Sequence, residues 1–484
     1  MLYRSTISTR LVKRYKYTQL SQLSTIQSIH SIHSSSKMSL QINELQSWQS
    51  QLDNDPQYKL AYSTLQQFNV DDALINSQHK IPNVFTHVID VEGSPITNQK
   101  SSGRCWLFAA LNILRIQGIK NLNLKELQLS QNYLFFYDKL EKSNYFLDKI
   151  IETSGEDVNS RLIQEFLTSP TNDGGQFTMF LNLIEKYGIV PQDQYPDVYS
   201  STASRKLNEL ITTKLREFAE ILRDLKNKGE NESKIQEIKS NQIKEIYKYL
   251  TIFLGTPPST STEFTWEYYD KDKKYQSLTT TPLKFLQDYI KFDFSKPVSI
   301  INDPRHDYNT KIKINHLNNV SGSTRDVEYL NLDNKTLSNL IINRIKQNKP
   351  VFFGSHTPKF MNKKKGIMDI DLFQYELIGF NKNQSKKSRV IYHESLMTHA
   401  MLITGVSLNS QGEPTRYRVE NSWGKDSGID GYYIMTQDYF EQYCYQIVVD
   451  FDEISQEQQS LLKKDPIVLP LWDPMGALAL CGRE

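Results

Sequence analysis

The 484-residue chain carries 57 Lys+Arg against 55 Asp+Glu, with 38% hydrophobic, 11% aromatic and 23% charged residues. Its length holds two or three lobes of ordinary domain size, and its composition excludes the collagenous and wholly disordered classes. Three Cys without a CxxC pair exclude a disulfide framework and a Cys-based zinc site, and no apolar run approaches the ~18 residues of a membrane helix. A soluble globular protein of a reducing compartment is expected, with no membrane partner.

Residues 1–37 hold six basic residues, nine Ser, four Thr and no acid; the first carboxylate is Glu44. That profile predicts a mitochondrial targeting segment rather than a plain basic tail. Met38 follows directly, and a second start there would yield a product without the extension, so cytoplasmic and mitochondrial forms are both expected. Taking the six basic residues away leaves 51 against 55 acidic, a net of −4, so the formal +2 says nothing of the folded body. A strongly basic nucleic-acid binder is not indicated.

From Glu44 to Asn98 the text reads as surface helices and a lead-in strand. Leu107, Ala110, Leu111 and Leu114, spaced by three and four, predict a buried helix whose first turn lies near Cys105. Apolar residues then recur at helical intervals over 204–250 and break at Lys228-Gly229-Glu230-Asn231, which predicts a helical hairpin. Beyond Pro297 the texture turns β-rich, with strands expected at 298–302, 350–354, 401–406, 417–421 and 432–435. The C-terminal part reads as a sheet or barrel.

Cys105 stands at the predicted start of a helix, where unpaired backbone N–H groups and the helix dipole favour an anion and hence a thiolate. An arbitrary Cys is a small inert hydrophobe, so its surroundings have to argue for more. Gln99-Lys-Ser-Ser-Gly-Arg-Cys105-Trp106 resembles the nucleophile segment of papain-like cysteine peptidases. The resemblance implies that Gln99 donates a hydrogen bond to the oxyanion and that the Gly permits a tight turn. It also calls for a His beside a small residue on a later strand, followed by an Asn-Ser-Trp-Gly run. Thr398-His399-Ala400 and Asn421-Ser422-Trp423-Gly424 supply both, in the family's chain order. His399 would take the proton of Cys105, Asn421 would accept from the second ring N–H, and Trp423 would shield that bond from water.

The separation of 294 residues from Cys105 to His399 is about twice the 130–150 of simple papain-like chains, so a large insertion is expected. Ser102 stands where secreted members carry a disulfide Cys, and Arg104 replaces a small residue beside the nucleophile. Asp173-Gly174-Gly175-Gln176, Phe264-Thr-Trp-Glu-Tyr268, Asn302-Asp-Pro-Arg305, Glu394-Ser-Leu-Met-Thr-His399 and Trp472-Asp-Pro-Met-Gly-Ala-Leu-Ala479 narrow the match. They resemble the bleomycin hydrolase branch from about residue 50 to Ala479.

That resemblance implies a papain-like α+β fold, a helical lobe plus a β-barrel-like lobe, with helical insertions and assembly as a homohexamer around a central channel. It divides the chain after the targeting segment into a helical catalytic lobe (38–200), an oligomerisation insertion (201–295), a β-rich lobe (296–470) and a tail entering the cleft (471–484). It implies cysteine aminopeptidase activity on peptides with a free N-terminus, hydrolysis of bleomycin and homocysteine thiolactone, and, for fungal members, single-stranded DNA as a partner. Substrate would lie against Gly174, Gly175 and Trp423, and a terminal carboxylate at Ala479 would hold the substrate's α-amino group. Leu480 to Glu484 extend past that point, so trimming back to Ala479 is expected. No metal or organic cofactor is called for. The −4 body argues against DNA, although Lys363-Lys364-Lys365 could add local basic charge to a channel. A nucleic-acid-binding hexamer with secondary peptidase activity is the alternative from another class.

Overall fold

The computed structural model describes residues 39–90 and 94–480; the expected targeting segment and residues 481–484 lie outside them. The chain divides into two units, residues 1–63 and 64–484. The described part of the first holds helix Ile42–Leu52 and the start of helix Pro56–Leu65, neither with a buried residue. The Glu44 carboxylate accepts from the Gln41 backbone N–H at 3.1 Å and so closes the first turn of helix Ile42–Leu52.

In the second unit, twelve described strands form one sheet. Its central strands run in the order Cys444–Asp450, Val351–Ser355, His399–Leu408, Pro414–Glu420 and Tyr432–Thr436, all antiparallel neighbours. Strand His399–Leu408 is buried along nearly its whole length, as a strand covered on both faces must be. Its side chains alternate between two apolar clusters. Ala400 and Leu402 join the cluster of Cys105, Trp106 and Leu111, whereas Met401 and Ile403 join that of Leu337, Ile341 and Ile345. Helix Cys105–Asn121 therefore covers one face and helix Asn334–Lys346 the other. Burying Leu107, Leu111 and Leu114 contributes on the order of 1.5–3 kcal/mol each.

The hairpin expected over 204–250 is present as helices Arg205–Asn227 and Glu232–Leu254. Asn231 ends the break by capping the second helix, its side chain accepting from the Lys234 N–H at 2.8 Å. The expected insertion, 201–295, also holds a two-stranded hairpin, Phe264–Tyr269 with Tyr275–Thr280, so it is not helical throughout. Phe264 and Trp266 point inward and Thr265 and Glu267 outward, a period of two. Among the described residues no helix is long and apolar enough to cross a membrane.

Candidate active site

Cys105 is the first residue of its helix and is buried. The turn before it is tied down from both ends of the chain. The Gln99 N–H donates to the Ser422 carbonyl at 2.8 Å, and the Gln99 Oε1 accepts from the Ser422 hydroxyl at 2.7 Å. One hydrogen of the Gln99 amide nitrogen goes to the Ser102 carbonyl at 2.7 Å. The amide is thereby oriented with its second N–H unspent.

His399 opens its strand, and its Nε2 lies 2.8 Å from the Asn421 Oδ1. The same oxygen accepts from the Ser422 backbone N–H at 2.8 Å, which marks it as the acceptor end of the amide. Nε2 therefore carries the proton and Nδ1 keeps its lone pair. The backbone N–H of Ala400, the residue after His399, is among the groups that favour a Cys105 thiolate. The Trp423 ring stacks against the imidazole at 4.9 Å between centroids, tilted by 33°.

Burial works on both groups. It pushes the Cys105 thiol up to about 11, against the backbone N–H groups of Ala400, Trp106 and Cys105 itself, while the nearby Asp173 charge adds to the rise. It pulls His399 down to about 4, with the Asn421 bond opposing and Lys363 assisting. The helix start was expected to favour thiolate; here desolvation outweighs it, and a thiolate needs the imidazolium as its counter-ion.

A supporting residue that sequence reasoning left without a role is Asp173. Its carboxylate accepts from the Gly103 N–H at 2.9 Å, from Asn208 at 2.8 Å and from the Ser204 hydroxyl, and pairs with the Lys139 ammonium at 2.7 Å. Burial would raise its pKa, yet Lys139 and these donors hold it below the usual carboxylate range. Its carbonyl accepts from the Trp106 indole N–H at 2.7 Å. One side chain thus joins the nucleophile turn to the helix Gln131–Glu152 and to the start of the insertion. An acid directly before a Gly pair was the only signal in the sequence.

Gly175 lies flat against Trp106: a Cβ there would come within 2.4 Å of the indole. The Gly174 carbonyl accepts from Lys142, whose ammonium also sits 5.4 Å from the Trp106 ring. Lys142, Asn172, Ala479 and Leu480 line one cavity. The tail that reaches this cavity is buried from Pro474 to Ala479. Arg305 grips it through both oxygens of Asp473, at 3.0 and 2.7 Å, while the Tyr329 hydroxyl donates to the Met475 carbonyl at 3.3 Å. Among the described residues no group of three or more His, Cys, Asp or Glu is arranged to hold a metal.

Residues 39–476 match the Peptidase C1-like family. The chain belongs to that family. Cysteine proteinase 1, mitochondrial, of Saccharomyces cerevisiae is 55% identical over 451 residues, covering 91% of this chain and 93% of that protein. Human bleomycin hydrolase is 40% identical over 441 residues, covering 88% and 96%. The crystal structure of PepW from Lactobacillus rhamnosis superposes with a TM-score of 0.87 at 37% identity, covering 91% of this chain and 99% of that one. The fold is papain-like and the protein is a cysteine peptidase of the bleomycin hydrolase kind.

As a Peptidase C1-like protein it departs from simple papain-like chains at two positions, and the structure gives each a reason. The Ser102 hydroxyl donates to the Gln99 carbonyl at 2.6 Å, closing the turn by a hydrogen bond. Arg104 is fully buried, donating to Ser102 at 2.9 Å and to Asp197 at 2.7 Å, with its guanidinium over Phe108 and Phe135.

Proposed function

We propose that this peptidase is an aminopeptidase that works through an acyl-enzyme thioester. The observation that supports the reading is the tail buried from Pro474 to Ala479, whose Ala479 lines a cavity with Lys142, the residue that donates to the Gly174 carbonyl; in this reading the tail closes one side of the cleft. In this reading Nδ1 of His399 takes the Cys105 proton, and the thiolate attacks the first peptide carbonyl. The imidazolium, steadied through Nε2 by Asn421, then protonates the leaving amine. The unspent N–H of Gln99 and the Cys105 backbone N–H receive the oxyanion. Water, deprotonated by His399, releases the acyl group and restores the thiol. A carboxylate left at Ala479 by trimming would meet the substrate's α-ammonium and fix its distance to the scissile carbonyl. Homocysteine thiolactone and the bleomycin amide fit the same acyl transfer.

The reading extends to location and assembly: residues 1–37 direct one product to mitochondria, a start at Met38 supplies the cytoplasm, and six copies assemble. The yeast relative's name supports the first of these. A fluorogenic aminoacyl amide compared with its N-acetylated twin, on wild type and Cys105→Ala, tests the chemistry. Cleavage of the free amine alone, abolished in the variant, is expected. Equal cleavage of both substrates refutes the aminopeptidase, and retained turnover in Cys105→Ala refutes the nucleophile.

A further inference from the structure

The run Lys363-Lys364-Lys365 is more than a solvated turn. It forms the tip of a small hairpin in which Met361–Asn362 pairs with Ile367–Met368. The tip is bolted to the loop after the Asn-Ser-Trp-Gly run: the Gly428 N–H donates to the Lys363 carbonyl and the Ile434 N–H to the Gly366 carbonyl, both at 2.8 Å. Gly366 has φ of +66° and packs so closely on the Gly428-Ile429 backbone that a Cβ would lie 3.0 Å from the Ile429 nitrogen. The turn is therefore held in place.

From that tip the Lys363 ammonium sits 4.2 Å from the centroid of the Trp423 ring, whose indole stacks on His399. All three lysines are exposed, and among the described residues none has a carboxylate partner. The charge is thus both fixed in direction and free to pair with something that arrives.

Which part of a substrate arrives there follows from the chemistry. The acyl portion lies toward Gly174, Gly175 and the tail. His399 must hand its proton to the departing amine, so the departing portion lies on the imidazole side, under Trp423 and Lys363. An extended chain advances roughly 3.5 Å per residue, so the ammonium stands one to three residues beyond the scissile bond. We infer that Lys363 is a specificity-determining residue on the leaving-group side, selecting substrates with a carboxylate close behind the scissile bond: short peptides by their free C-terminus, or longer ones by an acidic side chain.

This rests on the peptidase reading of the site and deepens it by naming a substrate class. The test uses a tripeptide free acid and its C-terminal amide, which differ by one charge, with kcat/KM measured for the full-length protein. Wild type should prefer the acid by roughly three- to fivefold, the range of an exposed ion pair, and the preference should shrink at high salt. Lys363→Gln should bring the ratio near one, Lys363→Glu should invert it, and Lys363→Arg should keep it. A wild-type ratio near one, or a preference unchanged in Lys363→Gln, overturns the inference. N-acetylated versions of both peptides separate the two questions. Their cleavage would refute the aminopeptidase while the acid-to-amide ratio still reports on Lys363.

Discussion

Arg115 and Glu420 join the two elements that carry the candidate catalytic residues Cys105 and Asn421. Arg115 lies on the nucleophile helix and Glu420 directly precedes Asn421; their side chains meet at 2.6 Å, each 1% exposed. Arg115 also donates to the Pro95 carbonyl at 2.8 Å, and Asn112 donates to the same Glu420 oxygen at 2.8 Å. Arg115→Met removes the cation paired with the buried Glu420, and Glu420→Met removes the anion paired with the Arg115 guanidinium. Each should cost about 3–5 kcal/mol, because the remaining buried charge keeps its desolvation penalty and loses the Coulombic attraction that offset it. Replacing both by apolar residues removes the penalty with the charges, so Arg115→Met/Glu420→Met should be more stable than either single variant. Urea unfolding followed by Trp fluorescence reads the four corners of the cycle, and turnover should fall with the single variants as Asn421 loses its footing. Single-variant costs below about 1 kcal/mol, or a double variant equal to the sum of the singles, would refute the reasoning.

Gly175→Ala should destabilise by about 1–3 kcal/mol and cut turnover, since the indole it would strike is fully buried and pinned by its bond to Asp173; thermal melting and kcat together check it. Arg305→Gln should loosen the tail and lower the preference for a free over an acetylated N-terminus by roughly tenfold, the worth of a charge-assisted pair. A uniform fall in both rates would instead mean a merely structural Arg305. His356 is held by burial at about 4, below the ordinary 6.5. The unfolded chain therefore binds the extra proton between those values, and stability contributed above pH 6.5 is lost as pH falls toward 4. His356→Gln should lose less over that window in urea midpoints, and an identical loss would count against the assignment.

The strands at 297–301, 351–355 and 399–408 were legible because apolar β-branched runs bounded by turn residues suit buried strands. The hairpin of helices was legible because its breaker and its Asn cap are local. Helix Gln131–Glu152 was not read, and its chemistry says why: Asn132, Asp138, Lys139, Lys142 and Ser143 are all buried on it. Polar residues facing inward erase the apolar stripe that marks a helix. The candidate triad announced itself through its motifs, whereas the Asp173 hub and the Arg115–Glu420 pair join positions far apart in sequence. The pull of the helix start on the thiol is visible in a sequence, whereas the desolvation that opposes it is not.

The separation of the reacting groups along the chain also has a bearing on biosynthesis. Cys105 leaves the ribosome 294 residues ahead of His399, with Asn421 and the tail from Pro474 still later. At common elongation rates of about 5–20 residues per second, that gap lasts roughly 15–60 s. On the proposed mechanism, the nascent enzyme during that gap holds a nucleophile with no base. On that mechanism proteolytic power arrives only with the last strands, so the order of synthesis itself spares neighbouring nascent chains from a half-made peptidase.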